Sequence, residues 1–381
     1  MSEHVPNTSK QHPPITMSAP DIDASDLKAV EETLRSGILG LGPCARGFEE
    51  AVAERCGVKH AITLSSGTSA LHLAVRGLGI GDGDEVLVPS FTFAASVNAI
   101  LYERATPVFV DIEPETLNLS VEDCERRITP KTRAIMVVDV FGHPADWDGL
   151  EALARKHDLL LIDDCCEAIG SEYRGRPLGS LGNAGAFAFY PNKQITTGEG
   201  GMLVTDDDDL ATLARSLRNQ GRDAMGAWLD HPRLGFNYRM DELSAALGLS
   251  QFRRLDAFME RRAHVASLYT ERLAQLPRVE APTVQDHVKM SWFVYVVRLA
   301  EGLDRDPVMQ KMEQRGIPVR GYFQPVHELT YARKYINSST SGLPTTEAMA
   351  RRTVAIPFHN HLSEAAVDRV VEVLAEVLDE S

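Results

Sequence analysis

Long apolar runs are missing from this chain of 381 residues. The longest, such as Ala134 to Val140 and Leu159 to Ile162, are strand-sized, far short of the roughly 20 residues that a membrane-spanning helix needs. Cysteine is scarce as well. The five residues at 44, 56, 124, 165 and 166 form no CxxC pair, and no histidine cluster accompanies them at zinc spacing, so the pattern points to no metal and to reduced thiols in a cytoplasmic setting. Cations are outnumbered, 39 Lys and Arg against 54 Asp and Glu for a formal charge of -15. That balance argues against a broad nucleic-acid or anionic-membrane surface, which needs clustered positive charge. Neither GxxxxGK[ST] nor GxGxxG occurs, which withdraws support from both common nucleotide-binding loops. There is no tandem repeat and no low-complexity tract. The opening MSEHVPNTSKQHPPITMSAP has no apolar core behind a basic start, unlike a secretory signal, and residues 1–15 read as a loose tail.

What is present is a chain with 44% apolar residues, enough to bury a large core and to divide in two. Between about residues 60 and 207, seven β-rich runs alternate with helical patterns: AITLSS (61–66), EVLVPS (85–90), TPVFVDI (106–112), RAIMVVDV (133–140), LLLIDD (159–164), AFAFY (186–190) and GMLVT (201–205). Alternation of this kind predicts an α/β domain built on a mostly parallel seven-stranded sheet. Most runs are apolar throughout, as expected of strands covered by helices on both faces. The segment 146–158 places Leu150, Leu153 and Ala154 on one helical face between two strands, completing a βαβ unit that ends at Asp163 and Asp164. Ligands gather beyond the C-terminal strand ends of such folds. After about residue 240 the pattern becomes one long helix with Asp241 as its N-cap. Strand-like WFVYVVRL (292–299) and helices near 306–315 and 363–379 follow. The expected division is a large domain over 16–255 and a smaller α+β domain over 256–381.

Three pieces carry chemistry. GAFAFYPNKQITTGEGGML (185–203) sets one lysine, Lys193, in a loop between strand-like runs, followed by Gly198, Gly200 and Gly201, which permit unusual dihedrals or close backbone approach. SSGTSALHLA (65–74) leaves a strand and opens a helix, so Gly67, Thr68 and Ser69 offer backbone N–H groups and hydroxyls as a phosphate cradle. Asp164 supplies a carboxylate at a strand end. Pyridoxal phosphate needs this set together: a lysine to bind it covalently, a carboxylate to keep its pyridine nitrogen protonated, and a seat for its phosphate. Each piece alone has an ordinary structural explanation, as a solvated loop lysine, a Ser-capped helix or a strand-end acid.

Beyond these pieces, FEEAVAERCGVKHAITLSSGTSALHLA, DEVLVPSFTFAASVNAI, DDCCEAIGSEYRGRPLGSLGNAGAFAFYPNK, TTGEGGMLVTDD and LGFNYRMDELSAALGLSQ resemble the DegT/StrS family of sugar aminotransferases, fold type I pyridoxal-phosphate enzymes related in architecture to aspartate aminotransferase. The resemblance runs from about residue 16 to 375. It implies Lys193 as the cofactor-bearing lysine and catalytic residue, and Asp164 as partner of the pyridine nitrogen. It further implies Gly67, Thr68 and Ser69 at the phosphate, Phe93 stacked on the ring, and Glu167 near the ring hydroxyl. Asn237 would reach the phosphate of a neighbouring subunit, making the site shared across a homodimer. Tyr190, Arg239, Tyr322 and His327 fall in segments where the family contacts substrate.

The resemblance implies transamination of a nucleotide-diphosphate keto sugar with L-glutamate as donor, for amino-sugar and surface-glycan synthesis. FYPNKQITTGEGG with GFNYRM looks closest to members that aminate C4, such as perosamine synthases. Lys193 argues against the family's dehydratases, which carry histidine there. Two departures stand out. Ala188 replaces a serine common in relatives, removing a hydroxyl near the phosphate. Glu167 replaces a common glutamine, and an ionised carboxylate beside the ring oxygen repels it unless protonated or paired.

Overall fold

A computed structural model describes residues 14–223, 230–335 and 342–380. Of the tail expected over residues 1–15, residues 1–13 lie outside the described residues, whereas Ile15 packs against a C-terminal core.

All seven β-rich runs become strands of one sheet: β1 His60–Leu64, β2 Glu85–Pro89, β3 Thr106–Val110, β4 Thr132–Val138, β5 Leu160–Asp164, β6 Ala184–Ala188 and β7 Gly201–Thr205. Their spatial order is β1-β7-β6-β5-β4-β2-β3. Strands β3, β2, β4, β5 and β6 run parallel. Strand β7 is antiparallel to both of its neighbours, β6 and β1.

The unbroken apolar character of these strands follows from burial on both faces. Ile135 and Val137 of β4 and Leu161 of β5 join a core with Phe48, Trp147, Leu150 and Phe187. Their alternate neighbours Ala134, Met136 and Ile162 join a second core with Leu71, Val88 and Leu203. A period of two thus divides each strand between two helical layers. Helix Trp147–His157 buries Leu150, Leu153 and Ala154 toward the first. Helix Gly67–Gly77 is buried from Gly67 to Val75 except for Thr68, against the second.

The region read as one long helix from Asp241 is two helices. Asp241 caps the first, Glu242–Phe252, by accepting from the Ser244 N–H. The chain then tightens at Arg253–Arg254, where the Arg254 N–H reaches only to the Gln251 carbonyl at 3.0 Å. The Arg254 guanidinium turns to the carboxylates of Asp23 and Asp26 at the start of helix Ala24–Ser36. The apolar spacing persists across the break, so periodicity alone did not reveal it. Helix Leu255–Leu273 then packs on helix Glu364–Asp379 and on a three-stranded sheet of Val279–Glu280, Tyr295–Leu299 and Thr353–Ile356. Val367, Val370, Val373, Leu374, Val377 and Leu378 form the buried stripe of the last helix, the three-and-four spacing of an amphipathic helix.

Among the described residues, no helix is long and apolar enough to cross a membrane, and no cluster of three His, Cys, Asp or Glu is arranged to hold a metal ion. All five cysteines are free thiols.

Candidate active site

The C-terminal ends of β4, β5 and β6 open into a cleft of about 580 Å³ whose wall includes Gly67, Thr68, Phe93, Asp164, Glu167, Tyr190, Lys193 and Tyr322. This volume suits a cofactor or a small substrate. The sequence separates these residues by as many as 255 positions, and the βα crossovers bring them to one edge of the sheet.

Lys193 lies in the loop between β6 and β7. Its N–H bonds to the Tyr190 carbonyl at 2.9 Å, and the Thr197 N–H returns to Phe189 at 3.0 Å. Gly198 takes a φ of +82° to close this loop. The lysine amine is largely buried, 3.5 Å from Glu167 Oε1 and 3.9 Å from the centroid of the Phe293 ring. Burial pushes the Glu167 carboxyl above its ordinary range, and the Lys193 charge acts in the opposite direction. Glu167 Oε2 also accepts from the Phe141 N–H at 2.9 Å. The acid that departs from the common glutamine is therefore paired.

Asp164, the last residue of β5, is buried. Its Oδ2 accepts from the Ser96 hydroxyl at 2.6 Å, and its Oδ1 from the Cys166 N–H at 3.3 Å. Burial raises its carboxyl, and the Ser96 hydrogen bond works against the rise. Ser96 itself stands in the first turn of helix Ala94–Tyr102, for which Phe93 is the N-cap.

Helix Gly67–Gly77 points its N-terminus into the same cleft. Ser66 caps it by accepting from the Ser69 N–H, while Gly67 and Thr68 occupy the first two helical positions, whose N–H groups have no partner within the helix. Gly201 permits this arrangement, because a β-carbon there would fall 2.2 Å from the Ser66 carbonyl oxygen.

Four residues singled out from the sequence do not line the cleft. Ser69 is held in the cap by Ser66 and Ser65, at 2.8 and 3.1 Å. Asn237 forms a β-bridge with Asn219, whose side-chain oxygen accepts from Arg239 at 3.0 Å. His327 packs beneath the surface, its Nδ1 2.7 Å from the Ser90 hydroxyl. The structure adds Thr92, Ser96, Asn192, Glu199, Phe293 and Phe323 to the wall. Asn192 stands beside Lys193 in the lysine loop and Ser96 within the segment DEVLVPSFTFAASVNAI, but nothing in the sequence marked either side chain as facing inward. Cys166 is half-buried and also faces the cleft.

A mostly parallel seven-stranded sheet with its cleft at the strand ends is the architecture of fold type I sugar aminotransferases. The chain belongs to the DegT/DnrJ/EryC1/StrS aminotransferase family, whose sequence pattern matches residues 20–375. It is 44% identical over 370 residues to the GDP-perosamine synthase of Caulobacter vibrioides, covering 96% of this chain and 99% of that protein. Among solved structures it resembles PseC of Helicobacter pylori, an aminotransferase involved in pseudoaminic acid biosynthesis. That match has a TM-score of 0.91 and 28% identity over 97% of this chain and 100% of that one. The PLP form of Spr1654 from Streptococcus pneumoniae superimposes with a TM-score of 0.91 at 29% identity, covering 96% of this chain and 99% of that one.

Proposed function

We propose that this chain transfers an amino group from L-glutamate to C4 of a GDP-linked keto-deoxy sugar, with pyridoxal phosphate as cofactor, in the cytoplasmic synthesis of a surface glycan. The observation that carries the reading is the meeting of Lys193, Asp164 and the N-terminus of helix Gly67–Gly77 in one cleft. The 44% identity to a GDP-perosamine synthase supports the sugar, the nucleotide and the position of amination.

The residues fit the cofactor. Asp164 is a buried acid raised by desolvation, with the Lys193 charge only a lesser influence against the rise, so a ring N–H⁺ beside it would stabilise its ionised form. Gly67 and Thr68 provide unpaired helical N–H groups for a phosphate, with Phe93 available to a ring face. The hydroxyl absent at Ala188 leaves that seat to the helix start. Bound there, pyridoxal phosphate supplies an electron sink for proton removal at the carbon that bears nitrogen.

The chain's own contribution is to hold and move protons. The Lys193 amine, once free, is a base and then an acid at reacting carbons, and its neutral form is the one that can accept. Glu167, 3.5 Å away, balances the charge when Lys193 is protonated. The Phe293 ring, 3.9 Å from this amine, shields it from water, and the Tyr322 and Phe323 rings add apolar surface to the cleft wall.

Phe93 and Tyr190 line the cleft while remaining 65% and 53% exposed. The cleft's cationic wall consists of Lys193 alone among the described residues. Both facts support a homodimer in which Asn237 of the second copy reaches the phosphate, with Arg239 as a substrate contact. The division into a large domain over 16–255 and a small one over 256–381 accompanies this reading, as do Tyr190 and Tyr322 as substrate-side residues, whereas His327, outside the cleft, has no such support.

The near-ultraviolet and visible spectrum of the purified protein tests the proposal. L-Glutamate should bleach the visible band of the lysine-bound cofactor, and a GDP-linked 4-keto-deoxy sugar should restore it with release of an amino sugar. Absence of a band after adding pyridoxal phosphate, or its retention in Lys193→Ala, would overturn the cofactor assignment. A response to glutamate without turnover of the GDP sugar would overturn the substrate assignment.

A further inference from the structure

Arg262 lies on helix Leu255–Leu273 and is 3% exposed. No carboxylate of the described residues forms an ion pair with it within 4.0 Å. Its guanidinium instead faces backbone carbonyls. Nη1 donates to Trp292 O at 3.0 Å and Phe293 O at 3.2 Å, and Nη2 donates to Lys193 O at 3.3 Å. The Phe358 ring centroid lies 5.6 Å from its central carbon. Burial lowers its pKa to about 10, so it stays charged at neutral pH.

Burying a cation without a counter-ion is unfavourable relative to an apolar side chain of the same size. What the guanidinium adds is a planar fork of N–H donors with fixed directions. Its acceptors belong to two segments about 100 positions apart, and both bear on the same amine. One is the backbone of Lys193. The other carries Phe293, whose ring centroid lies 3.9 Å from Lys193 Nζ. Trp292, with a φ of +56°, stands in a region that a bulky residue rarely adopts, and its carbonyl is one of those bound. A neighbouring strap runs parallel to the clamp: Gln194 Nε2 donates to Glu167 O at 2.6 Å and to Ser291 Oγ at 2.7 Å.

We infer that Arg262 is a positioning residue for Lys193, clamping the carbonyls of Lys193, Trp292 and Phe293 so that the lysine amine and the Phe293 ring keep one relative placement. It does not line the cleft and acts through the two segments it joins. The inference rests on Lys193 as the working amine only for its effect on turnover.

The full chain, with and without pyridoxal phosphate, carries the test in Arg262→Met, which keeps length and removes the donors, and Arg262→Lys, which keeps a charge without the fork. Hydrogen exchange is followed in peptides covering 189–197 and 290–295, with kcat, KM and the pH profile measured alongside. Arg262→Met should exchange about tenfold faster in those two segments than the parent, with β4 and β5 unchanged. Its kcat should fall about ten- to a hundredfold, the scale of a misplaced reacting group, with KM little changed and a displaced pH profile. Arg262→Lys should lie between. Exchange that is unchanged there, or faster across the whole chain, would overturn the clamp, as would an unaltered kcat and pH profile despite local loosening. If Arg262→Met does not fold, Arg262→Lys and Arg262→Gln decide by the same readouts. Exchange in the stripped protein needs neither cofactor nor turnover, so failure of the Lys193 assignment and failure of the clamp are told apart.

Discussion

The Ser96 hydroxyl donates to Asp164 Oδ2 across 2.6 Å, joining the first turn of helix Ala94–Tyr102 to the end of β5 in a fully buried contact. Thr92 Oγ1, 2.9 Å from Ser96 Oγ, extends the chain of hydroxyls. Burial raises the Asp164 carboxyl, and this hydrogen bond opposes it. A hydrogen bond to a charged group contributes about 1.5–3 kcal/mol, equivalent to about one or two pH units. Ser96→Ala should therefore raise the carboxyl further and move the acid limb of kcat/KM for L-glutamate to higher pH. The loss should be largest at the acid end, up to the roughly ten- to hundredfold that a shift of about one to two pH units allows, and should vanish in alkali. Superimposable pH profiles for variant and parent would refute a role for Ser96 in keeping Asp164 ionised.

Behind Asp164, Asp139 and Asp163 form a second acid pair. Asp139 Oδ1 accepts from the Ala145 N–H at 2.6 Å and from the Trp147 indole at 3.2 Å, while Asp163 Oδ2 accepts from the Gly179 N–H at 2.7 Å. The remaining oxygens, Asp139 Oδ2 and Asp163 Oδ1, have no donor of their own, and a proton shared between the carboxyls satisfies both. Burial and mutual repulsion drive Asp139 up, and burial pushes Asp163 up to about 6. A folded pKa above the unfolded one means that Asp163's contribution is full below the unfolded value near 3.9 and is lost as pH rises through about 6, while that of Asp139, which is raised further and carries the shared proton, persists to higher pH. Asp163→Asn supplies an N–H in place of that proton. Melting temperatures from pH 5 to 8 should show the variant gaining on the parent as pH rises; a constant difference would exclude the shared proton.

The sheet was legible because seven strands buried on both faces leave seven apolar runs, and the crossover helices between them keep a separate period. Lys193, Asp164 and Gly67 were legible because each sits at a strand end or helix start, where local chemistry and topology coincide. Arg262 was not, since its value lies in carbonyls of residues 193, 292 and 293, and backbone acceptors leave no mark in a sequence. Ser69 looked like part of the cradle for the opposite reason: its hydroxyl belongs to the capping pattern, and the cap consumes it. The break at Arg253–Arg254 escaped because the apolar spacing continues across it.

His359 gives the small C-terminal core an acid sensitivity of its own. Its Nδ1 accepts from the His361 N–H at 3.2 Å, its Nε2 lies 3.4 Å from Thr16 Oγ1, and burial lowers its pKa to about 4. The folded state thus prefers the neutral ring. Its contribution is complete above the unfolded value near 6.5 and is lost as pH falls through about 4. His359→Asn removes the titrating ring, so its melting temperature should fall less steeply than the parent's between pH 6.5 and 4. Parallel curves over that interval would assign the acid transition to other groups.

Gly67 needs space rather than freedom of φ, since it is the first residue of a right-handed helix and is not among the positive-φ glycines. A β-carbon there would fall 2.6 Å from the Ala188 β-carbon and 2.9 Å from Cys166 Sγ. Neither atom is the end of a long side chain that can swing away, so Gly67→Ala must push the helix start from the end of β6. Overpacking of this kind costs about 1–3 kcal/mol. The displacement falls where the phosphate of pyridoxal phosphate is proposed to bind. The variant should melt several degrees lower and bind the cofactor at least tenfold more weakly in a spectral titration, a separation that simple loss of stability does not produce. Removing the opposing methyl in Gly67→Ala/Ala188→Gly should recover part of both losses, because it clears the shorter contact while the one to Cys166 Sγ at 2.9 Å remains. Additive losses in the double variant would mean that the helix start is not seated against β6 as described.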